Sequence, residues 1–173
     1  DTFMELGWDE QDGESDDDRE RRTAALGLML YGEDPAALAE AKQRFNETNP
    51  GDLPAEIRPL IINANVRHFE TPEMIDKLFT IYQNTPSADL QVDIALSLTS
   101  TKNPATAERI LTAIKDADII RPQDASRWFI YLIRTQENRK IAWDWLKENW
   151  SWVKDTFGGD KSYDNFIRYA ASA

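Results

Sequence analysis

The stretch from Ile119 to Gly158, IIRPQDASRWFIYLIRTQENRKIAWDWLKENWSWVKDTFG, contains five of the six tryptophans of the chain. Pro122 fits the first position of a helix, where its missing N–H costs nothing, and an apolar-periodic segment continues from it. Asn138 is a natural N-cap for a second helix, and the pair Gly158-Gly159 ends the helical pattern. Because aromatic side chains bury large areas, we expect neighbouring helices to dock on this helical hairpin.

A regular spacing of prolines extends this pattern upstream. Each begins an apolar-periodic segment, and successive ones are separated by about one helix and a turn. These prolines are Pro35, Pro54, Pro72, Pro86, Pro104 and Pro122. Four of them come directly after residues that commonly cap helices, namely Asp34, Thr71, Thr85 and Asn103. No segment shows the alternation typical of strands. The sequence therefore predicts an all-α fold, a right-handed α-solenoid in which antiparallel helix pairs stack as in HEAT or armadillo repeats.

The hairpin also supplies the predicted centre of the core. Helical spacing directs several of its large apolar side chains toward neighbouring helices. The residues that we assign to the core here are Phe129, Trp143, Leu146 and Trp150. An exposed aromatic groove that binds a peptide is the alternative for the tryptophans.

The beginning of the chain differs in composition from the rest. Residues 1–15 are acidic and contain Gly7 and Gly13, which predicts a connecting segment, with Trp8 docking on the first helix pair. Ser15 is expected to cap the first helix. Residues 16–173 are then predicted to form one helical repeat domain, whose last helix stops near Ala173 without a capping signal.

Composition and charge narrow the range of partners. The 173 residues include 20 basic and 31 acidic side chains, which give a formal charge of −11. Nucleic acid and anionic membranes are not expected as partners, because both require a basic surface. No apolar run reaches membrane-spanning length and no signal-peptide pattern is present, so the expected location is cytoplasmic.

The chain lacks the residues needed for common catalytic centres. It has no cysteine and a single histidine, His68, so it is not expected to build a two-histidine zinc site or any other metal site. No phosphate-binding loop, dinucleotide fingerprint or G-x-S-x-G motif occurs. We therefore predict that this chain alone catalyses no reaction and holds no cofactor.

Several motifs nevertheless resemble the C-terminal helical domain of the M1 family of zinc aminopeptidases, in particular its bacterial PepN-type members. That family typically has I-R-x-Q-D and, after a gap, L-A-W-D-F-x-x-x-N-W with an aromatic residue and glycine beyond it. Here the matching segments are IRPQD at 120–124, IAWDW at 141–145 and ENW at 148–150. Trp145 stands where the family usually has phenylalanine. The segment NVRH at 65–68 and the turn LTSTKNP at 98–104 extend the similarity over most of the chain.

This resemblance implies a non-catalytic domain that walls and gates a peptide chamber over a zinc-containing catalytic domain. Its partners would be the catalytic and N-terminal domains of the parent enzyme, together with peptide substrates. Because the family continues with further helices, the chain is expected to be truncated at its C-terminus. The alternative is a free-standing helical-repeat scaffold that binds another protein through its concave face. An H-E-x-x-H motif upstream of Asp1 would distinguish the two.

Five polar residues are candidates for contacts with a peptide or with another domain: Arg121, Gln123, Asp124, Arg127 and Arg67. The first four cluster at the start of a predicted helix, where an arginine can bind a peptide carboxylate in bidentate fashion. A purely structural role is the alternative. In that case Asp124 pairs with Arg127 at i+3, or Arg121 binds the last carbonyls of the preceding helix.

Overall fold

The computed structural model describes residues 7–159, 161 and 163–171. This part of the chain forms ten α helices and two short 3-10 turns, and it contains no strand, which confirms the predicted all-α class. The helices are α1 (Asp16–Tyr31), α2 (Pro35–Glu47), α3 (Arg58–Phe69), α4 (Pro72–Asn84), α5 (Ala88–Leu98), α6 (Pro104–Ala113), α7 (Pro122–Arg134), α8 (Arg139–Glu148), α9 (Trp150–Phe157) and α10 (Tyr163–Ala170). The 3-10 turns are Pro50–Asp52 and Gln136–Asn138.

Local start signals account for most of the helix boundaries. Four of the six regularly spaced prolines occupy the first turn of a helix as predicted, in α2, α4, α6 and α7. The side chains of Asp34, Thr71 and Asn103 accept the capping hydrogen bonds expected of them. The prediction for Thr85 is wrong, because it is the C-cap of α4. Ser87 instead caps α5 and accepts a hydrogen bond from the Leu90 amide at 3.2 Å.

The chain divides into two compact units, Asp1–Phe69 and Glu70–Ala173. The sequence predicts one helical domain over residues 16–173, and the boundary between the units falls inside that range, in the turn between α3 and α4. A boundary between compact units leaves no signal in the neighbouring sequence, because it depends on where contacts between residues distant in the sequence are concentrated.

The first unit is built on closely packed small side chains. α2 and α3 lie against each other, and a cluster formed by Leu30, Ala37, Ala41 and Ala64 is buried between the helices. Trp8, Met29, Leu38 and Leu60 pack against this cluster from its edge. The buried side chain of Asn65 donates 2.9 Å hydrogen bonds to the carbonyls of Ala41 and Ile61, which ties α3 to α2.

The acidic segment before α1 is held on this unit by specific contacts. Arg44 of α2 donates from its two terminal nitrogens to the two carboxylate oxygens of Asp9, at 2.6 and 2.8 Å. The same guanidinium lies 5.2 Å from the ring centroid of Trp8. Ser15 caps α1 as predicted, accepting from the Asp18 amide at 3.2 Å. Residues 8–15 are therefore attached to the helices rather than merely connecting to them.

We expect this attachment to weaken in acid. Hydrogen bonds from Arg44 hold the pKa of the Asp9 carboxyl below its ordinary value of 3.8, against a smaller opposing effect of burial. A lowered pKa contributes stability that is present above the ordinary value of the unfolded chain and is lost as pH falls through the folded value. NMR titration of the Asp9 carboxyl carbon should show the lowered midpoint, and Arg44→Gln should return it to the ordinary range. An unchanged midpoint in that variant would contradict the assignment.

The second unit is organised around Trp128 of α7, which is 1% exposed. Its ring stacks on Phe79 with a centroid distance of 5.9 Å and meets Tyr82 edge-on at 5.0 Å. Further along the same helix, Phe129 lies 5.1 Å from Phe166 of α10. α7 thus presents large aromatic side chains to helices on both sides of it in the sequence.

The predicted core of the hairpin is partly wrong. Phe129 and Leu146 are buried, and Trp150 is half-buried, but Trp143 is 44% exposed. The buried positions of α8 are Ala142 and Leu146, four residues apart. Trp143 projects about 100° around the helix from Ala142, which places it at the edge of the packed face.

Asn138 occupies the predicted N-cap position but does not cap α8 with its side chain. Its backbone has φ −98° and ψ −8°, because the residue closes a 3-10 turn instead of adopting the extended conformation of a capping residue. The side chain is 1% exposed and donates to the carbonyls of Thr101 at 2.8 Å and Thr99 at 3.4 Å. Asn138 therefore fastens the turn between α5 and α6 to the start of α8.

Candidate functional site

Three of the predicted site residues meet around a cavity of about 70 Å³ in the second unit. Arg121, Asp124 and Arg127 reach it from the beginning of α7, while Tyr82 comes from α4 and Gln91 from α5. The rest of the lining consists of Ala88, Val92, Ala95 and Trp128. The cavity thus has a polar side formed mainly by α7 and an apolar side formed by α5.

Arg121 forms the ion pair of this site. Its Nε and Nη2 atoms both lie 2.8 Å from Oδ2 of Asp124, and Nη2 also donates to Oε1 of Gln91 at 3.3 Å. The pair at i+3 therefore joins Arg121 to Asp124, whereas the structural alternative has Arg127 as the partner. Since the Arg121 side chain is 55% exposed, the pair contributes at most about 1 kcal/mol and serves chiefly to position the guanidinium.

Two hydrogen bonds to Tyr82 that the sequence does not predict connect residues that line the cavity. Nε1 of Trp128 donates to the Tyr82 hydroxyl at 3.2 Å, and Nε2 of Gln91 donates to the Tyr82 carbonyl at 3.1 Å. Burial raises the pKa of the Tyr82 hydroxyl, and the hydrogen bond from Trp128 opposes this rise. Periodicity assigns Tyr82 only to an apolar helix face. No sequence pattern marks Gln91 as a site residue, because a single glutamine on a helix is compatible with many roles.

Arg127 contributes a second guanidinium to the cavity wall. It is exposed and makes no hydrogen bond or ion pair with any residue that the structure describes. Its positive charge nevertheless acts on Tyr82, whose phenol pKa it tends to lower. Arg127 is therefore available to a ligand, and so is Nη1 of Arg121, which no described residue engages.

The two remaining candidates do not belong to this cavity. Gln123 is exposed and lines a separate groove. The groove's other residues are Pro122, Ser126, Thr156, Phe157, Gly159 and Asn165. Gln123 points elsewhere because residues two positions apart on a helix lie on different faces. Arg67 lies in the last turn of α3, in the first unit, where it is half-buried.

The described residues contain neither a cluster suited to a metal ion nor a helix suited to a membrane span. Among residues 7–159, 161 and 163–171, no group of three or more histidine, cysteine or acidic side chains is placed to hold a metal ion. Over the same residues, no helix combines the length and the apolar character needed to cross a membrane.

The described fold defines an all-helical domain that carries a small polar cavity. A family model of the ERAP1-like C-terminal domain matches residues 1–173, and the chain therefore belongs to this family. Its relatives are aminopeptidases, which confirms the resemblance to the C-terminal domain of M1-family enzymes that IRPQD and IAWDW carry.

Relatives occur in bacteria, plants and animals. The chain is 36% identical over 173 residues to Aminopeptidase N of Lactobacillus helveticus, covering 99% of the chain and 20% of that protein. It is 30% identical over 176 residues to Aminopeptidase M1 of Arabidopsis thaliana, covering 96% of the chain and 19% of that protein. Glutamyl aminopeptidase of Bos taurus is 27% identical over 138 residues, with 79% of the chain and 14% of that protein covered. The chain thus spans about a fifth of the length of the first of these relatives.

Proposed function

We propose that this chain is the non-catalytic C-terminal domain of a zinc aminopeptidase, in which it walls and gates the chamber that admits peptides to the catalytic domain. The observation that carries the proposal is the match of residues 1–173 to a C-terminal domain family whose relatives here are aminopeptidases several times longer. The single histidine of the chain is consistent with a zinc site in another domain, because a site of the H-E-x-x-H type needs two histidines. The zinc would belong to the catalytic domain, and the N-terminal and catalytic domains of the parent would be the partners.

The cavity on α7 supports a role in substrate contact. Arg127 offers an exposed guanidinium there, and Arg121 is held beside it by Asp124 and Gln91. Aminopeptidase chemistry needs only the amino end of a substrate, so a remote arginine would act on the distal part of a peptide. Binding energy from such a remote contact can orient the scissile bond as well as hold the substrate.

The test compares substrates of different length in the full-length enzyme. We expect Arg121→Ala to lower kcat/KM for a long peptide by roughly ten- to a hundredfold, the value of one charge-assisted contact. An aminoacyl anilide, which cannot reach the domain, should be affected little. Asp124→Asn is the matched control, because it breaks the same ion pair while leaving the arginine in place.

Four outcomes would contradict the proposal or its substrate contact. An equal loss for both substrates would mean that Arg121 acts through the structure, and an equal effect of Asp124→Asn would assign that loss to the ion pair. No loss for either substrate would mean that Arg121 faces only solvent. If no H-E-x-x-H motif precedes Asp1 in the parent sequence, the free-standing scaffold becomes the better explanation.

A further inference from the structure

The second half of α1 is apolar on every side. Residues 24–31, AALGLMLY, carry no charged side chain, although 29% of the whole chain is charged. A helical segment with this composition is normally covered all round. In the described structure it is covered on one side only, where Leu26 and Leu30 are buried and α2 and α3 pack against α1. The opposite side therefore lacks the partner that its composition predicts.

Ala24, Leu28 and Tyr31 make up this opposite side, which we call the outer face of α1. At 100° per residue they fall within about 60° of one another, while the buried Leu26 and Leu30 point the other way. Leu28 is 72% exposed and Tyr31 is 89% exposed. These two lie three positions apart on one helix, whereas the other exposed large apolar side chains of the described residues lie on three different helices, namely Leu96, Trp143 and Ile167.

The size of the outer face limits what can cover it. Leu28 and Tyr31 together offer on the order of 300 Å² of apolar surface, as large as a functional patch on a typical monomer. A stable interface between separate molecules needs roughly 800 Å² from each partner, so this face is too small to hold a second copy of the chain. Another domain of the same polypeptide can bind through a smaller surface, because tethering raises its effective concentration to about the millimolar range.

We propose that the outer face of α1 packs against an apolar surface on another domain of the same polypeptide. The relatives contain such further domains, since the matched region is only 20% of Aminopeptidase N of Lactobacillus helveticus. The face is also held in a fixed shape, because the Gly32 amide closes the last turn of α1 by donating to the Leu28 carbonyl at 2.9 Å. The inference rests on the proposed function, in which the chain is one domain of a larger enzyme.

The test measures whether the outer face is covered in the full-length parent. The 173-residue chain has no cysteine, so Ala24→Cys places a single reporter thiol in the face and leaves Leu28 and Tyr31 unchanged. We expect its alkylation by iodoacetamide, followed by mass spectrometry of the peptide, to be roughly tenfold slower in the parent than in the 173-residue chain, because reaction requires the domains to separate. Gln43→Cys, at an exposed position of α2, is the matched control and should react at similar rates in both. Equal rates for Ala24→Cys would overturn the inference.

Two variants of Leu28 show whether the face itself holds the domains together. In the parent that carries Ala24→Cys, Leu28→Asp should restore most of the alkylation rate, because docking would bury an unpaired carboxylate. Leu28→Met keeps an apolar side chain and should leave the reaction slow. Since Leu28 is exposed, neither change should unfold the 173-residue chain, which circular dichroism checks. Slow alkylation in the Leu28→Asp variant would overturn a role of this face in docking.

Sedimentation of the 173-residue chain tests the competing occupant. We expect a monomer at all concentrations, and a dimer that Leu28→Asp dissociates would assign the face to a second copy instead. The alkylation result is also independent of the substrate test. Slow alkylation in a parent that shows no effect of peptide length would retain the docking face and reject the chamber. An effect of peptide length with equal alkylation rates in the parent and the 173-residue chain would do the reverse.

Discussion

Replacement of Trp128 by alanine is expected to lower the free energy of unfolding by about 3–5 kcal/mol, the range for truncating a large buried aromatic side chain. The indole is 1% exposed and lies between Phe79 and Tyr82, which belong to another helix. Its removal leaves a cavity at the junction of α4 and α7. It also deprives the Tyr82 hydroxyl of the hydrogen bond from Nε1.

Urea denaturation monitored by circular dichroism measures this loss, and Trp143→Ala is the matched control. Trp143 is 44% exposed, so its truncation should cost less than about 1 kcal/mol. Trp128→Phe keeps a ring between the same neighbours and should fall between the two. Similar losses for Trp128→Ala and Trp143→Ala would show that α7 does not organise this unit.

The second large effect is expected from Arg22 of α1. Its side chain is fully buried, forms an ion pair with Glu14 and donates to the Asp9 carbonyl at 3.3 Å. The Glu14 side chain is itself only 3% exposed, so Arg22→Ala leaves a buried carboxylate without its counter-charge. Breaking a buried pair in this way costs about 3–5 kcal/mol.

Removing both charges should cost much less than removing one. Among the described residues, Nε and Nη2 of Arg22 and Oε2 of Glu14 have no hydrogen-bond partner, although Nη2 lies 3.7 Å from Oε1 of Glu56, so desolvation of the pair is incompletely compensated. The double variant Arg22→Met/Glu14→Leu should therefore recover most of the loss, since replacing a buried ion pair by apolar side chains is often neutral or stabilising by about 1–4 kcal/mol. Denaturant melts of the single and double variants give the coupling energy between the two residues. Hydrogen exchange on α1–α3 reports the loss in this part of the chain. Additive losses in the double variant would contradict a coupled buried pair.

Most of the predictions that depend on short-range signals succeeded. Pro72 and Pro104 begin helices because their fixed φ suits the first helical position, and Thr71 and Asn103 cap the amides of the next turn. These effects act within one turn, so the residues concerned are neighbours in the sequence. The family resemblance could also be recognised from the sequence, because IRPQD and IAWDW are continuous segments.

The sequence did not determine which side of a tryptophan-rich helix faces inward. Ile141, Trp143, Trp145 and Leu146 give α8 apolar character over most of its circumference, so periodicity alone permitted Trp143 in the core. Asn138 was correctly placed at the start of α8, but its side chain binds Thr101 and Thr99 instead of the helix. In both cases packing against other helices decided the outcome. For Asn138 the reason is that a buried polar amide requires hydrogen-bond partners, which only the tertiary structure supplies.

The sequence by itself thus determined the all-α class, most of the helix starts and the cluster of charged residues at the beginning of α7. Only the tertiary structure decided that Arg121 pairs with Asp124 and that Arg127 shares a cavity with Tyr82 and Gln91. Helix formation depends on residues three or four positions apart, which a single segment contains. A cavity depends on side chains from α4, α5 and α7, and their approach is set by the burial of large side chains such as Trp128 between those helices.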